Sequence, residues 1–297
     1  MATDIASSRS ARRSSSKLLG RIFIYSALLF LAAIYLMPLW VMVTTSLKSL
    51  DEIYGGSFIG LPKIITFEAW TKAWSEACIG SNCGGLRPYF LNSFMLVVPA
   101  VAISTAIGAV NGYILTKWKF RGSNLIFGML LFGCFLPFQA VILPMAQTLG
   151  RLGLSGSIPG LILVHTVYGI CFTTLFFRNY FVSVPDELVK AAQVDGAGFF
   201  RIFFAIMLPA AIPIIVVSCI WQFTQIWNDF LFGVSFTSGN QVPITVALNN
   251  IVNVTAGRKQ YNVDMASAMI AALPTLLVYV VAGRYFVRGL TAGAVKG

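Results

Sequence analysis

Few side chains here can do chemistry, and their spacing narrows what that chemistry is. Gln222, Gln225 and Asp229 recur at i, i+3 and i+7, which puts two amides and a carboxylate on one face of a helix. Such a set suits two tasks, binding a hydroxyl-rich small molecule or hydrogen bonding to a neighbouring helix. Gln139 and His165 are further polar residues inside apolar runs. A polar group there is expensive and normally faces a cavity or another helix. His165 is the only histidine in the sequence and reads as a packed, satisfied side chain, not a proton relay. No CxxC, HExxH or Cys/His cluster occurs among the five cysteines, so no metal centre is expected. Cys78 and Cys83 are close enough in sequence for a short bridged turn. Cys134, Cys171 and Cys219 read as packing residues. No GxxxxGK[ST] is present, so the chain cannot bind ATP in the P-loop manner.

The elements that must position these residues follow from composition. Of 297 residues, 57% are hydrophobic and 10% charged, and the mean hydropathy is +0.81. A soluble domain is typically about 45–50% apolar and about 25% charged. An ordinary soluble enzyme, a disordered chain and a disulfide scaffold are thereby excluded. The fold class is an all-α membrane protein with six transmembrane helices. The spans read as Ile22 to Thr45, Leu91 to Leu115, Leu125 to Leu149 (with Pro137 and Pro144 as kinks), Ile158 to Phe177, Ile206 to Trp227, and Met265 to Val287, broken by Pro274. Residues 1–21 form an amino-terminal tail, 22–289 the membrane domain, and 290–297 a carboxyl-terminal tail. The net charge is +11, and its placement orients the spans. Arg9, Arg12, Arg13, Lys17, Arg21, Lys117, Lys119, Arg121, Arg178, Lys190, Arg201, Arg284, Arg288 and Lys296 fall on one side, twice as many basic residues as on the other. By the positive-inside rule both termini are cytoplasmic, and the basic excess needs no nucleic acid to explain it.

The loop from Arg178 to Arg201, on that basic side, is too structured for a passive connector. Pro185 stops the preceding helix and Asp186 can cap a new one. Leu188, Ala191 and Ala192 share a face, and Gly196 stands where a positive φ would end the helix. A second short helix from Phe199 to Leu208 then leads into Pro209. The result is a helix–turn–helix with a small apolar face suited to a groove on another protein.

The run from Pro185 to Ala197, followed by Phe203 to Pro209, resembles the EAA loop of membrane subunits in binding-protein-dependent ABC importers. Ala191, Ala192, Asp195 and Gly196 agree with that pattern, and Lys190 stands where the motif has its glutamate. Asn92-Ser93, Gly112-Tyr113, the run Lys119 to Gly122, the run Trp227 to Phe230 and the run Gly289 to Gly293 resemble carbohydrate-uptake permeases of the maltose type. Cys134 to Gln139, Trp221 to Phe230 and Pro243 to Asn250 are similar to the glucose/mannose subgroup. The resemblance implies a permease of the bacterial inner membrane with no cofactor and no catalytic residue of its own. Its partners would be a second permease, a dimer of ATPase subunits carrying ATP and Mg, a periplasmic sugar-binding protein, the sugar and the bilayer. It also implies that Glu187, Lys190, Ala191, Ala192, Asp195 and Gly196 couple the chain to the ATPase. Gln139, His165, Gln222, Gln225 and Asp229 would line the pathway or the permease–permease interface. A proton-coupled secondary carrier would need ionisable residues within the spans and usually an internal repeat. A membrane enzyme would need a reactive cluster at the interface. Only His165 and the peripheral Arg284 meet the first need, and no such cluster meets the second.

Overall fold

A computed structural model of the chain describes the backbone of residues 2–56, 58–80, 82–253 and 257–294, and the side chains of residues 20–283 within those ranges. The side chains of Arg9, Arg12, Arg13, Lys17, Arg284, Arg288 and Lys296, and those of the Gly289 to Gly293 run, lie outside the described residues. In chain order the helices are α1 (Ala2–Ser46), α2 (Leu50–Gly55), α3 (Glu68–Ser75), α4 (Arg87–Lys117), α5 (Ser123–Cys134), α6 (Phe138–Arg151) and α7 (Ile158–Val182). They continue with α8 (Asp186–Val194), α9 (Phe199–Ile202), α10 (Leu208–Ala210), α11 (Ile212–Trp227), α12 (Leu231–Phe236), α13 (Ile244–Val252) and α14 (Tyr261–Ala294). Among the described residues there is no β-strand, only isolated bridges of Ile79 with Asn82 and of Gly156 with Thr237.

Among the described residues, four helical stretches are long and apolar enough to cross a membrane: Gly20–Ser46, Arg87–Lys117, Ile158–Val182 and Tyr261–Gly283. Six result if each of two bent pairs counts as one span. The third expected span, Leu125 to Leu149, is one such pair, with α5 and α6 bent by 103°. Pro137 stands just before α6 and lacks the N–H that would continue the helix. Pro144, expected to kink, sits inside α6 without breaking it. The fifth is the other, α9–α10 followed by α11, bent by 74° at Ala211. The backbone widens into a π-helical stretch over Phe203–Met207 before that bend, a form that occurs mostly as a local interruption of α-helices. Pro274 does not break the last span, because α14 runs through it.

The chain divides into two compact units, Met1–Thr71 with Arg258–Met269, and Lys72–Gly257 with Ile270–Gly297. In the first, Asn262 Nδ2 donates to the Lys48 carbonyl at 3.1 Å and Trp70 Nε1 to Ser46 Oγ at 3.2 Å. Arg258 pairs with Asp51 at 2.9 Å and lies over the Tyr54 ring.

In the second unit the central contact is between α4 and α7. Ser104, Gly108, Gly112 and Thr116 recur every four residues and so share one face of α4. A Cβ at Gly108 would strike Thr173, and one at Gly112 would strike Phe177 and the Arg178 backbone. Without those atoms the two backbones come close enough for Thr173 Oγ1 to donate to the Ser104 carbonyl at 2.8 Å. Asn111 Nδ2 donates to Thr174 Oγ1 at 3.2 Å on the same interface. Packing and interhelical hydrogen bonds have to hold membrane helices together, because lipid is as apolar as their side chains. Gly112→Ala should therefore force the helices apart, at a cost of about 1–3 kcal/mol typical of overpacking. A thermal midpoint in detergent several degrees below wild type is expected, and an unchanged midpoint would contradict the close approach.

Candidate functional site

Two regions of the second unit hold the residues singled out from the sequence. The first is the elbow between α7 and α11. Lys117, at the end of α4, is almost fully buried and donates to the Val184 carbonyl at 2.5 Å. Its Nζ also pairs with Asp186 Oδ1 at 2.5 Å. Asp186 is the first residue of α8, after Pro185, and its side chain is engaged by Lys117 instead of capping the helix as the sequence suggested. The Lys117 hydrogen bond, then the Lys117 charge, hold the Asp186 carboxyl below its ordinary value.

The two faces of α8 differ from expectation. Leu188, Ala191 and Ala192 do not act as one surface, because Val189 and Ala192 are buried while Leu188 and Ala191 are exposed. The inner pair joins a core of Tyr113, Phe177, Phe181, Ile202 and Met207. Glu187, Lys190, Ala191, Asp195 and Gly196 are exposed, and Val194 is exposed to 88%. Gly196 has φ +78°, which only glycine adopts without strain. That turn lets Ala197 N donate to the Ala192 carbonyl at 2.9 Å and close the helix. The chain then brings Phe199 against Tyr113 and Trp118, with ring centroids 4.9 Å and 5.4 Å apart. Tyr180 Oη donates to the Ala210 carbonyl at 2.6 Å, which fastens α7 to the segment before α11.

The second region is a cavity of about 500 Å³ between α7, α11 and the turn into α12. His165, Gln222, Gln225 and Asp229 all line it. Gln139 is exposed and does not, although its neighbour Phe138 does. Asp229 is not on the helical face with the two glutamines, because α11 ends at Trp227. Its carboxylate instead accepts from Phe232 N at 3.3 Å and Gly233 N at 3.1 Å, at the start of α12. Gln222 is buried and donates to Ser104 Oγ at 3.1 Å, an interhelical bond within this chain, and Gly169 leaves room for its amide. His165 is buried, with its ring against Phe232. Its Nε2 lies 3.5 Å from Asp229 Oδ2 with no hydrogen-bond partner. The sequence reading missed the rings around these groups. Tyr168 and Phe172 follow His165 at i+3 and i+7, a face visible in the sequence. Trp221 packs on Phe172 with centroids 4.6 Å apart, and Phe232 on Tyr168 at 5.2 Å.

Elsewhere in this unit, Cys78 and Cys83 are joined Sγ to Sγ, and Cys134, Cys171 and Cys219 are free, partly buried thiols. No group of three His, Cys, Asp or Glu able to hold a metal ion occurs among the described residues.

Comparison with known proteins adds an independent line. Residues 89–288 match the family described as binding-protein-dependent transport system inner membrane component. The chain is 40% identical to a probable ABC transporter permease protein of Pyrococcus horikoshii, over 93% of this chain and 98% of that protein. It is 33% identical to the diacetylchitobiose uptake system permease protein NgcG of Streptomyces coelicolor, covering 92% and 88% of the two chains. With the xylose/arabinose import permease protein XacI of Haloferax volcanii the identity is 30%, over 93% and 94%. Its fold is like that in the crystal structure of a bacterial ABC transporter involved in the import of the acidic polysaccharide alginate. There the TM-score is 0.78 at 22% identity, covering 90% of this chain and 97% of that one.

The Lys117–Asp186 pair makes a pH prediction. A carboxyl whose folded pKa is depressed stabilises the fold above its unfolded value, and that contribution is lost as pH falls through the folded value. Carboxyl NMR of Asp186 should give a midpoint below the ordinary 3.8, and Lys117→Met should return it toward that value. A wild-type midpoint at or above the ordinary value would contradict the pairing.

Proposed function

As the chain belongs to the family of binding-protein-dependent transport system inner membrane components, we propose that it is the membrane-spanning permease subunit of an ATP-driven sugar importer. It forms half of the translocation pathway, and a second permease forms the other half. A pair of separate ATPase subunits hydrolyses ATP, and an extracytoplasmic binding protein delivers the sugar. Relatives named for diacetylchitobiose and for xylose and arabinose support a carbohydrate cargo. The runs Cys134 to Gln139 and Pro243 to Asn250 support a monosaccharide such as glucose or mannose. The basic residues favour both termini on the cytoplasmic side.

The observation that carries the reading is the two-faced elbow. Its inner face, Val189 and Ala192, belongs to the same core as Tyr113 on α4 and Phe181 on α7. Its outer face, with Glu187, Lys190, Ala191, Asp195 and Gly196, is free to meet another protein. A motor subunit that grips the outer face therefore moves the helices and not just a loop, since a packed core transmits displacement without compressing. Mechanistically, closure of the ATPase pair pulls residues 185–200, and the spans rock between inward-open and outward-open states. The sugar crosses without chemical change.

Proteoliposomes carrying the whole importer and its binding protein test this. Glucose uptake should require ATP and survive a proton uncoupler. Gly196→Pro should abolish uptake while membrane insertion persists, since proline cannot adopt a positive φ. Uptake that continues without ATP, or at the wild-type rate in Gly196→Pro, would refute the coupling role.

A further inference from the structure

The basic end of the second unit carries more positive charge than its own carboxylates neutralise. Lys117 is matched by Asp186. Lys119, Arg121 and Arg178 are not, since among the described residues no carboxylate pairs with any of them. Arg178 is the most constrained of the three. It is half-buried on α7, four residues before that helix ends at Val182, which by the helical rise is about 6 Å inside the end. Its guanidinium lies over the Phe127 ring of α5, 4.2 Å from the centroid. A ring face steadies a cation, but it accepts none of the five N–H bonds that a guanidinium can donate. None of those donors is bonded among the described residues. A cation taken partly out of water without an anion is costly, so the position calls for one from outside the chain.

The surroundings restrict what that anion is. Phe127 is one turn into α5, just after the connection that carries Lys119 and Arg121, both exposed. Along the same helix Leu125, Met129 and Phe132 recur at i, i+4 and i+7, and all three are exposed. Cations at one end and an apolar track leading away from them match the two parts of a phospholipid. A soluble anion would leave the track bare, and a soluble protein would meet Arg178 inside a span. Guanidinium pairs with phosphate through two parallel N–H bonds, and basic pockets between spans on the cytoplasmic side are a recurrent form of headgroup site. We propose that α5 and α7 hold one anionic phospholipid of the inner leaflet. Its phosphate sits on Arg178, Lys119 and Arg121 attract the negative headgroup, and an acyl chain follows Leu125, Met129 and Phe132. A zwitterionic lipid binds less well, because its own ammonium cancels that attraction. Phe177, the neighbour of Arg178, belongs to the core behind the elbow, so the lipid ties α5 to the helix that backs the elbow. The site rests on the basic end facing the inner leaflet and not on the identity of the cargo.

The test is native mass spectrometry of the complete permease–ATPase complex, delipidated in detergent and titrated with phosphatidylglycerol or phosphatidylcholine. Wild type should prefer phosphatidylglycerol about tenfold or more, as expected for two or more basic residues at a headgroup. Arg178→Gln should cut that preference about five- to tenfold, and Arg121→Gln about fivefold. Arg87→Gln, at the opposite end of α4, should leave it unchanged. Glycerol phosphate, which has the headgroup chemistry without the chains, should not displace the lipid. The site is overturned if wild type shows no preference, if Arg178→Gln keeps the wild-type preference, or if Arg87→Gln loses as much as Arg178→Gln does. Displacement by glycerol phosphate would also overturn it, in favour of a soluble anion. Arg121 is exposed, so its replacement decides the matter even if Arg178→Gln fails to assemble, and a preference that Arg121→Gln leaves at the wild-type value would then count against the site.

Discussion

The close approach of α4 to α7 is the constraint on which the second unit depends. Water drives apolar faces together in a soluble core, but lipid supplies no such force between helices. Contact has to come from shape and from polar groups that would otherwise be stranded. Gly108 and Gly112 supply the shape, and the Thr173 hydroxyl on the Ser104 carbonyl supplies the polar tie. Ser104 then serves twice, since its side chain also receives the Gln222 amide from α11. Three helices are thus fixed around one small-residue face, and the aromatic core below it, Tyr113 with Phe177 and Phe181, gains a rigid backing.

That backing gives the elbow its mechanical meaning. On α7, Phe177 and Phe181 support the elbow, while His165 and Tyr168 line the cavity. From His165 to Phe181 a straight helix rises about 24 Å. One rigid element therefore backs the elbow at one end and lines the cavity at the other. The other route, through α9 and α10 into α11, is less regular. It contains the π-helical stretch and the 74° bend at Ala211. Such irregular backbone is tolerated in membranes where neighbouring groups re-satisfy it, and the Tyr180 hydroxyl on the Ala210 carbonyl does so here.

Much of this was legible in the sequence, and the failures have identifiable causes. The long spans were readable because lipid demands about 20 apolar residues in a row. The turn at Gly196 was readable because few residues other than glycine tolerate a positive φ. Proline was an uneven guide. Pro137 stands at a break of 103°, whereas Pro274 lies within a continuous α14. One missing hydrogen bond does not by itself decide whether neighbours hold a helix together. The face of α8 was misassigned because Val189 and Leu188 are equally apolar, and only the position of Tyr113 and Phe181 determines which of them is inside. Asp229 was placed on a helix that had already ended. The ring wall of the cavity was passed over because aromatic residues at helical spacing in a membrane protein usually face lipid or core.

The central claim is that the elbow is a handle with one face built into the bundle and the other offered to a motor. Site-directed crosslinking tests it most directly, in a background where Cys134, Cys171 and Cys219 are replaced by alanine. Leu188→Cys should crosslink to the ATPase subunit with a yield that changes on ATP binding, and Val189→Cys, one residue away, should not. A Leu188→Cys variant that never reaches that subunit, or that reacts with an impermeant thiol reagent from outside the cell, would contradict it.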